Sequence, residues 1–115
     1  MNTSKTVLLL LCLAIASIGS AKPRYLFYLH GRIVEVQGPN AVEKDHGYGA
    51  YQYFDILKTF TSRGFTVISE CQPASTEVNQ YAQKVALQID SLIKKGTKPS
   101  DITVVGASKG GAIAM

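Results

Sequence analysis

Three short apolar runs, separated by two amphipathic stretches, constrain this chain more than any other feature. Residues 24–30 (R-Y-L-F-Y-L-H), 65–70 (F-T-V-I-S-E) and 101–105 (D-I-T-V-V) have the length and the aromatic and β-branched content of strands. Between the first two, residues 50–63 place Tyr53, Phe54, Leu57 and Phe60 on one helical face, and Gly64 is positioned to stop that helix. Between the second and third, Ser75 or Thr76 is expected to cap a helix whose stripe runs Val78, Tyr81, Val85, Ile89, Leu92 and Ile93. Gln80, Gln83, Lys84, Gln88 and Lys95 fall on its wet side. Lys94 and Lys95 suit the dipole at its end, before Gly96. Strands alternating with helices of this length build a parallel sheet through right-handed crossovers. Strands apolar along their whole length are those covered by helices on both faces. The expected class is therefore α/β, a partial doubly wound parallel sheet over residues 22–115. Ligands are expected at the carboxyl ends of its strands. His30-Gly31, Glu70-Cys71 and residues 106–110 all fall at such ends.

Residues 1–21 stand apart. Lys5 gives a positive start, residues 7–18 are apolar, and Gly19-Ser20-Ala21 supplies the small residues of a cleavage site. The apolar stretch is shorter than the ~20 residues of a membrane span. The expectation is a removable signal peptide and a secreted or periplasmic protein, held at a membrane only if the leader stays uncleaved. Leu11, where a lipoprotein signal has a small residue, argues against lipidation of Cys12. Only Cys71 then remains, so neither an internal disulfide nor a cysteine metal site can form. Cys71 itself reads as a partly buried thiol at a strand end. The chain is 46% hydrophobic and 17% charged, an ordinary globular balance, with a formal charge of +4. Its basic residues are scattered and no basic run is interleaved with aromatics, so no nucleic-acid partner is expected.

The turn G-A-S-K-G at residues 106–110 carries the chemistry, and three readings of it are open. In the first, G-x-S-x-G is a sharp strand-to-helix elbow that holds Ser108 exposed at the top of the sheet. Glycine is required on both sides because side chains there would collide. In the second, the stretch resembles the glycine-rich turn of short-chain dehydrogenases. Against that, Ala112 stands where a third glycine is needed, Val105 replaces the usual threonine, and two strand–helix units come first. In the third, Ser108 is simply a small residue in a tight corner. His30 reads as a ring hydrogen-bonded to shape its loop, which leaves the backbone around Gly31 and Arg32 as the functional part of the H-G pair. His46 reads as a solvated loop histidine. Glu70 either ends its strand by turning to water or a backbone N–H, or orients a substrate. The long loop 31–49 is expected to roof part of the site, and its mixed charges select no acyl or alcohol group.

Y-L-F-Y-L-H-G at residues 25–31 and I-T-V-V-G-A-S-K-G-G at residues 102–111 resemble the α/β-hydrolase superfamily. The first is similar to its strand leading into the oxyanion loop, the second to its nucleophile strand and elbow. The resemblance covers residues 24–115. It implies Ser108 as nucleophile and the backbone amides of Lys109, Gly31 and Arg32 as oxyanion donors. The substrate would be a small ester-like molecule, and no cofactor or metal is implied. The serine would attack an acyl carbonyl and water would cleave the acyl-enzyme. In such enzymes the acid and the histidine base follow the serine, whereas His30 and His46 both precede Ser108. The sequence thus reads as the amino-terminal half of an exported, esterase-like serine hydrolase, truncated after the elbow and inactive as it stands. Two other functions stay open, an NAD(P)-dependent dehydrogenase-like protein and a non-catalytic, hydrolase-like binding module.

Overall fold

A computed structural model describes residues 22–115; the leader expected over residues 1–21 lies outside the described residues. The first apolar run forms strand β1 (Arg24–Leu29), and it becomes the middle of the sheet. Strand β4 (Phe65–Ile68) lies parallel to it on one side and β5 (Ile102–Gly106) parallel on the other, giving the order β4-β1-β5. The register pairs Phe27 with Ile68 on one side and with Val104 on the other. The protein is thus a mixed α/β domain around a three-stranded parallel sheet.

Alternation along β1 divides the core in two. Leu26 and Tyr28 point to one face, where they pack with Val34, Ala41 and Tyr53 and with Ile56, Leu57 and Phe60. Phe27 and Leu29 point to the other, against Val85, Ile113, Tyr81, Ile89 and Leu92. The first layer comes from helices α1 (Arg32–Gln37) and α2 (Tyr53–Ser62), the second from α3 (Val78–Lys94) and α4 (Lys109–Ala114). With apolar layers on both faces, a strand of alternating polarity would have buried polar groups; Y-L-F-Y-L does not.

The expected elements form with shifted ends. The helix expected over residues 50–63 begins at Tyr53, after Gln52 in a left-handed conformation, and Gly64 at φ 92° closes it. The cap of α3 is Glu77, not Ser75 or Thr76: its carboxylate accepts the N–H groups of Asn79 at 3.0 Å and Gln80 at 2.7 Å. Those two bonds, Asn79 first, hold the Glu77 carboxyl below its ordinary pKa. Thr76 bonds instead to the Pro73 carbonyl. In the apolar stripe of α3 only Ile93 departs, being exposed. Cys71 is exposed rather than partly buried.

The long loop is the larger correction. Residues 31–49 hold α1 and most of a small antiparallel hairpin, β2 (Val42–Glu43) with β3 (Gly49–Ala50). A six-residue helix rich in Ile and Val has little intrinsic stability. Burial of Val34 against the sheet, with Glu35 buried against Lys109, is what fixes it. The hairpin turns around the Glu43 carboxylate, which accepts the N–H groups of His46 and Tyr48.

Among the described residues no helix is long and apolar enough to cross a membrane. Phe27 is 1% exposed and packs at the centre of one layer, whereas Leu87 on α3 is 70% exposed. Phe27→Ala is expected to cost about 3–5 kcal/mol of stability, and Leu87→Ala no more than about 0.5 kcal/mol. Urea unfolding of the two variants checks the division.

Candidate active site

The end of β5 is clamped to the end of β1. Gly106 pairs with Leu29, and one residue later the Ala107 N–H donates to the Leu29 carbonyl at 3.0 Å. The chain then reverses into α4 within a single residue. That residue is Ser108, at φ 55° and ψ −117°, a conformation side-chain-bearing residues rarely adopt. Holding a non-glycine there costs about 1–3 kcal/mol, so the surroundings must impose it.

The flanking glycines impose it by proximity. A Cβ on Gly110 would overlap the Leu29 carbonyl and lie 2.8 Å from the His30 carbonyl oxygen. A Cβ on Gly106 would overlap the Gly110 carbonyl and lie 2.6 Å from the Gly111 nitrogen. The helix start therefore presses on the backbone of both strands. Gly111 is different, because a Cβ there would meet nothing nearer than 3.6 Å. The spacing G-x-S-x-G is thus a steric requirement here, while the third glycine is optional. Ser108 itself is exposed. Its carbonyl accepts the Gly111 N–H, and no described residue accepts the Lys109 N–H.

The loop after β1 stands beside this turn. A Cβ on Gly31 would sit 3.5 Å from the Ser108 Cβ. Of the two amides expected from this loop, that of Gly31 is already committed, donating to Tyr51 Oη at 3.1 Å. Tyr51 Oη is also hydrogen-bonded to Tyr28 Oη at 2.8 Å. Burial first, then this bond, pushes the Tyr28 phenol well above its ordinary pKa, so it stays neutral. The Arg32 amide, at the first position of α1, donates to no described residue. The structure therefore leaves Lys109 and Arg32, of the three expected donors, with uncommitted amides.

His30 is 1% exposed and uses both ring nitrogens. Its Nε2 accepts the Gln72 N–H at 2.9 Å, so the ring proton lies on Nδ1, which donates to the Gly31 carbonyl at 2.8 Å. The ring is neutral, edge-on to Tyr53, and ties the ends of β1 and β4 together. His46 stays on the hairpin, paired with Glu43 and stacked on Tyr48. Glu70 is exposed, as expected of a residue that ends a strand, but it bonds to side chains and not to a backbone N–H. It accepts from Tyr81 Oη at 2.8 Å and pairs with Lys84, and the Lys84 bond above all lowers its pKa.

Two contributors escaped the sequence reading. Glu35, on α1, has a side chain only 2% exposed, and its Oε2 lies 2.9 Å from Lys109 Nζ, itself 21% exposed. The same ammonium donates to the Thr76 carbonyl. A lysine wedged between glycines in an apolar turn, and a glutamate inside R-I-V-E-V-Q, each needed an opposite charge; that was the available signal. Tyr51 gave none, since a tyrosine before a helix is unremarkable.

Gly110→Ala is expected to destabilise by about 3 kcal/mol or more, because backbone would have to move to admit the methyl. Gly111→Ala, one residue on, is expected to be neutral or to stabilise by up to about 1 kcal/mol through helix propensity. Paired thermal unfolding midpoints check both.

Comparison of the chain with protein-family models, with curated proteins and with solved structures gave no match in any of the three.

Proposed function

We propose that this protein is an exported serine hydrolase of the α/β-hydrolase type, acting on a small ester-like substrate with Ser108 as its nucleophile. The observation that carries this reading is the conformation of Ser108. An exposed serine is held at φ 55°, ψ −117° by two close backbone approaches, next to an uncommitted amide on the following residue. A corner that only needed a small residue would relax this strain with glycine at the same position. Sheet order supports the reading too. A second oxyanion donor has to come from a neighbouring strand's loop, and β1, which leads into Gly31 and Arg32, is the direct neighbour of β5.

In the proposed reaction Ser108 Oγ adds to the acyl carbonyl, and its proton passes to a base. The developing oxyanion is met by the Lys109 and Arg32 amides. The tetrahedral adduct expels the alcohol to leave an acyl-enzyme, which water cleaves. His30 is not that base, with both ring nitrogens engaged. His46 is tied to Glu43 on its own hairpin. The reading therefore requires a base and an acid other than these two histidines.

A fluorophosphonate probe is expected to label the full-length protein at one serine, Ser108, identified by peptide mass spectrometry. Ser108→Ala should abolish the label, and labelling that survives the substitution overturns the assignment. Amino-terminal sequencing of the protein recovered from the periplasm or medium is expected to begin near Lys22, as cleavage after the small residues 19–21 requires.

A further inference from the structure

The buried Glu35–Lys109 pair is costly as a stabilising device. Two charges lose water, and Glu35 Oε1 makes no hydrogen bond at all. Its position suggests another use. Lys109 carries one uncommitted amide on its own backbone. Glu35 lies one helical turn after Arg32, which carries the other. The salt bridge therefore joins Lys109 to the helix that begins at Arg32, and so links the two segments that carry the uncommitted N–H groups. A third arm, from Lys109 Nζ to the Thr76 carbonyl, ties the same point to the loop between β4 and α3.

We propose that the Glu35–Lys109 ion pair is a positioning element that fixes the Lys109 and Arg32 amides relative to each other, and so sets the geometry of the oxyanion site. This inference rests on the serine-hydrolase reading. Neither side chain touches substrate. Donors of this kind act on the transition state, and a displacement on the order of 1 Å is enough to lower the rate about a hundredfold. The arrangement also accounts for a lysine, and not a smaller residue, after the serine: only a long cation reaches α1 from the elbow.

The test measures fluorophosphonate labelling kinetics of the full-length protein and its Glu35→Gln, Lys109→Met, Lys109→Arg and doubly substituted (Glu35→Gln, Lys109→Met) variants. Each of Glu35→Gln and Lys109→Met is expected to lower the maximal labelling rate by about 10- to 100-fold. The probe concentration giving half that rate should not change, because ground-state binding is untouched. The double variant should be no slower than the slower single one, since both remove one device. Lys109→Arg, which can also reach the unpartnered Glu35 Oε1, should stay within about threefold of the parent. Single variants within twofold of the parent, or a double variant showing the product of the two losses, overturn the proposal. If Lys109→Met does not fold, with Glu35 left charged and alone, Glu35→Gln and Lys109→Arg decide the matter: the first leaves an ammonium that is 21% exposed and still bonded to the Thr76 carbonyl, and the second keeps the pair.

If the parent protein is not labelled at Ser108, the hydrolase reading falls and the ion pair is judged separately. Hydrogen exchange at the Gly110 N–H, bonded to the Ala107 carbonyl across the pair from Glu35, should then be at least about fivefold faster in Glu35→Gln. Unchanged exchange would overturn the positioning role as well.

Discussion

The start of helix α4 lies so close to the end of β1 that no methyl group fits between Gly110 and the Leu29 carbonyl. Much of the site follows from that contact. With α4 pressed down and β5 paired to β1 at Gly106, the chain has one residue in which to reverse. Ser108 takes the strained angles where the close approaches at Gly106 and Gly110 fix the two ends. The strain is stored locally, and the parallel sheet supplies what resists it: two backbone hydrogen-bonding registers on β1 and a core packed on both faces.

The surrounding polar groups serve the same end by different physics. His30, neutral and bonded at both nitrogens, fastens the ends of β1 and β4. Tyr51, shared between Gly31 and Tyr28, fixes the first residue after β1. Glu35 and Lys109 connect α1 to the elbow through charge. Each group has a partner distant in sequence, so each works only once the fold exists. Bonds of this type contribute roughly 1 kcal/mol apiece, less than the packing of Phe27 or Leu26. Their effect is to select one arrangement of loops over others of similar compactness.

Sequence alone was informative wherever the physics is local or periodic. Strand runs, the amphipathic stripe of α3, the stop at Gly64 and the elbow spacing all depend on neighbours within a few residues. It was uninformative where tertiary contacts decide. Helix α1 is too short and too β-branched to declare itself, and forms because Val34 finds the sheet. Glu77 outcompetes Ser75 and Thr76 as cap through backbone geometry that composition does not carry. The engagement of the Gly31 amide depends on Tyr51, twenty residues away. The same holds for Lys109: its spacing marked the backbone as interesting, but its side-chain partner lies 74 positions earlier.

The position of Ser108 is set first by main-chain contacts, glycine against carbonyl. Side chains are what evolution exchanges most readily, and loop side chains above all. The hairpin at residues 42–50 and the outer face of α1 can therefore be rewritten without moving the hydroxyl. A chain carrying this scaffold can change the surface around the turn while keeping the Ser108 hydroxyl in register.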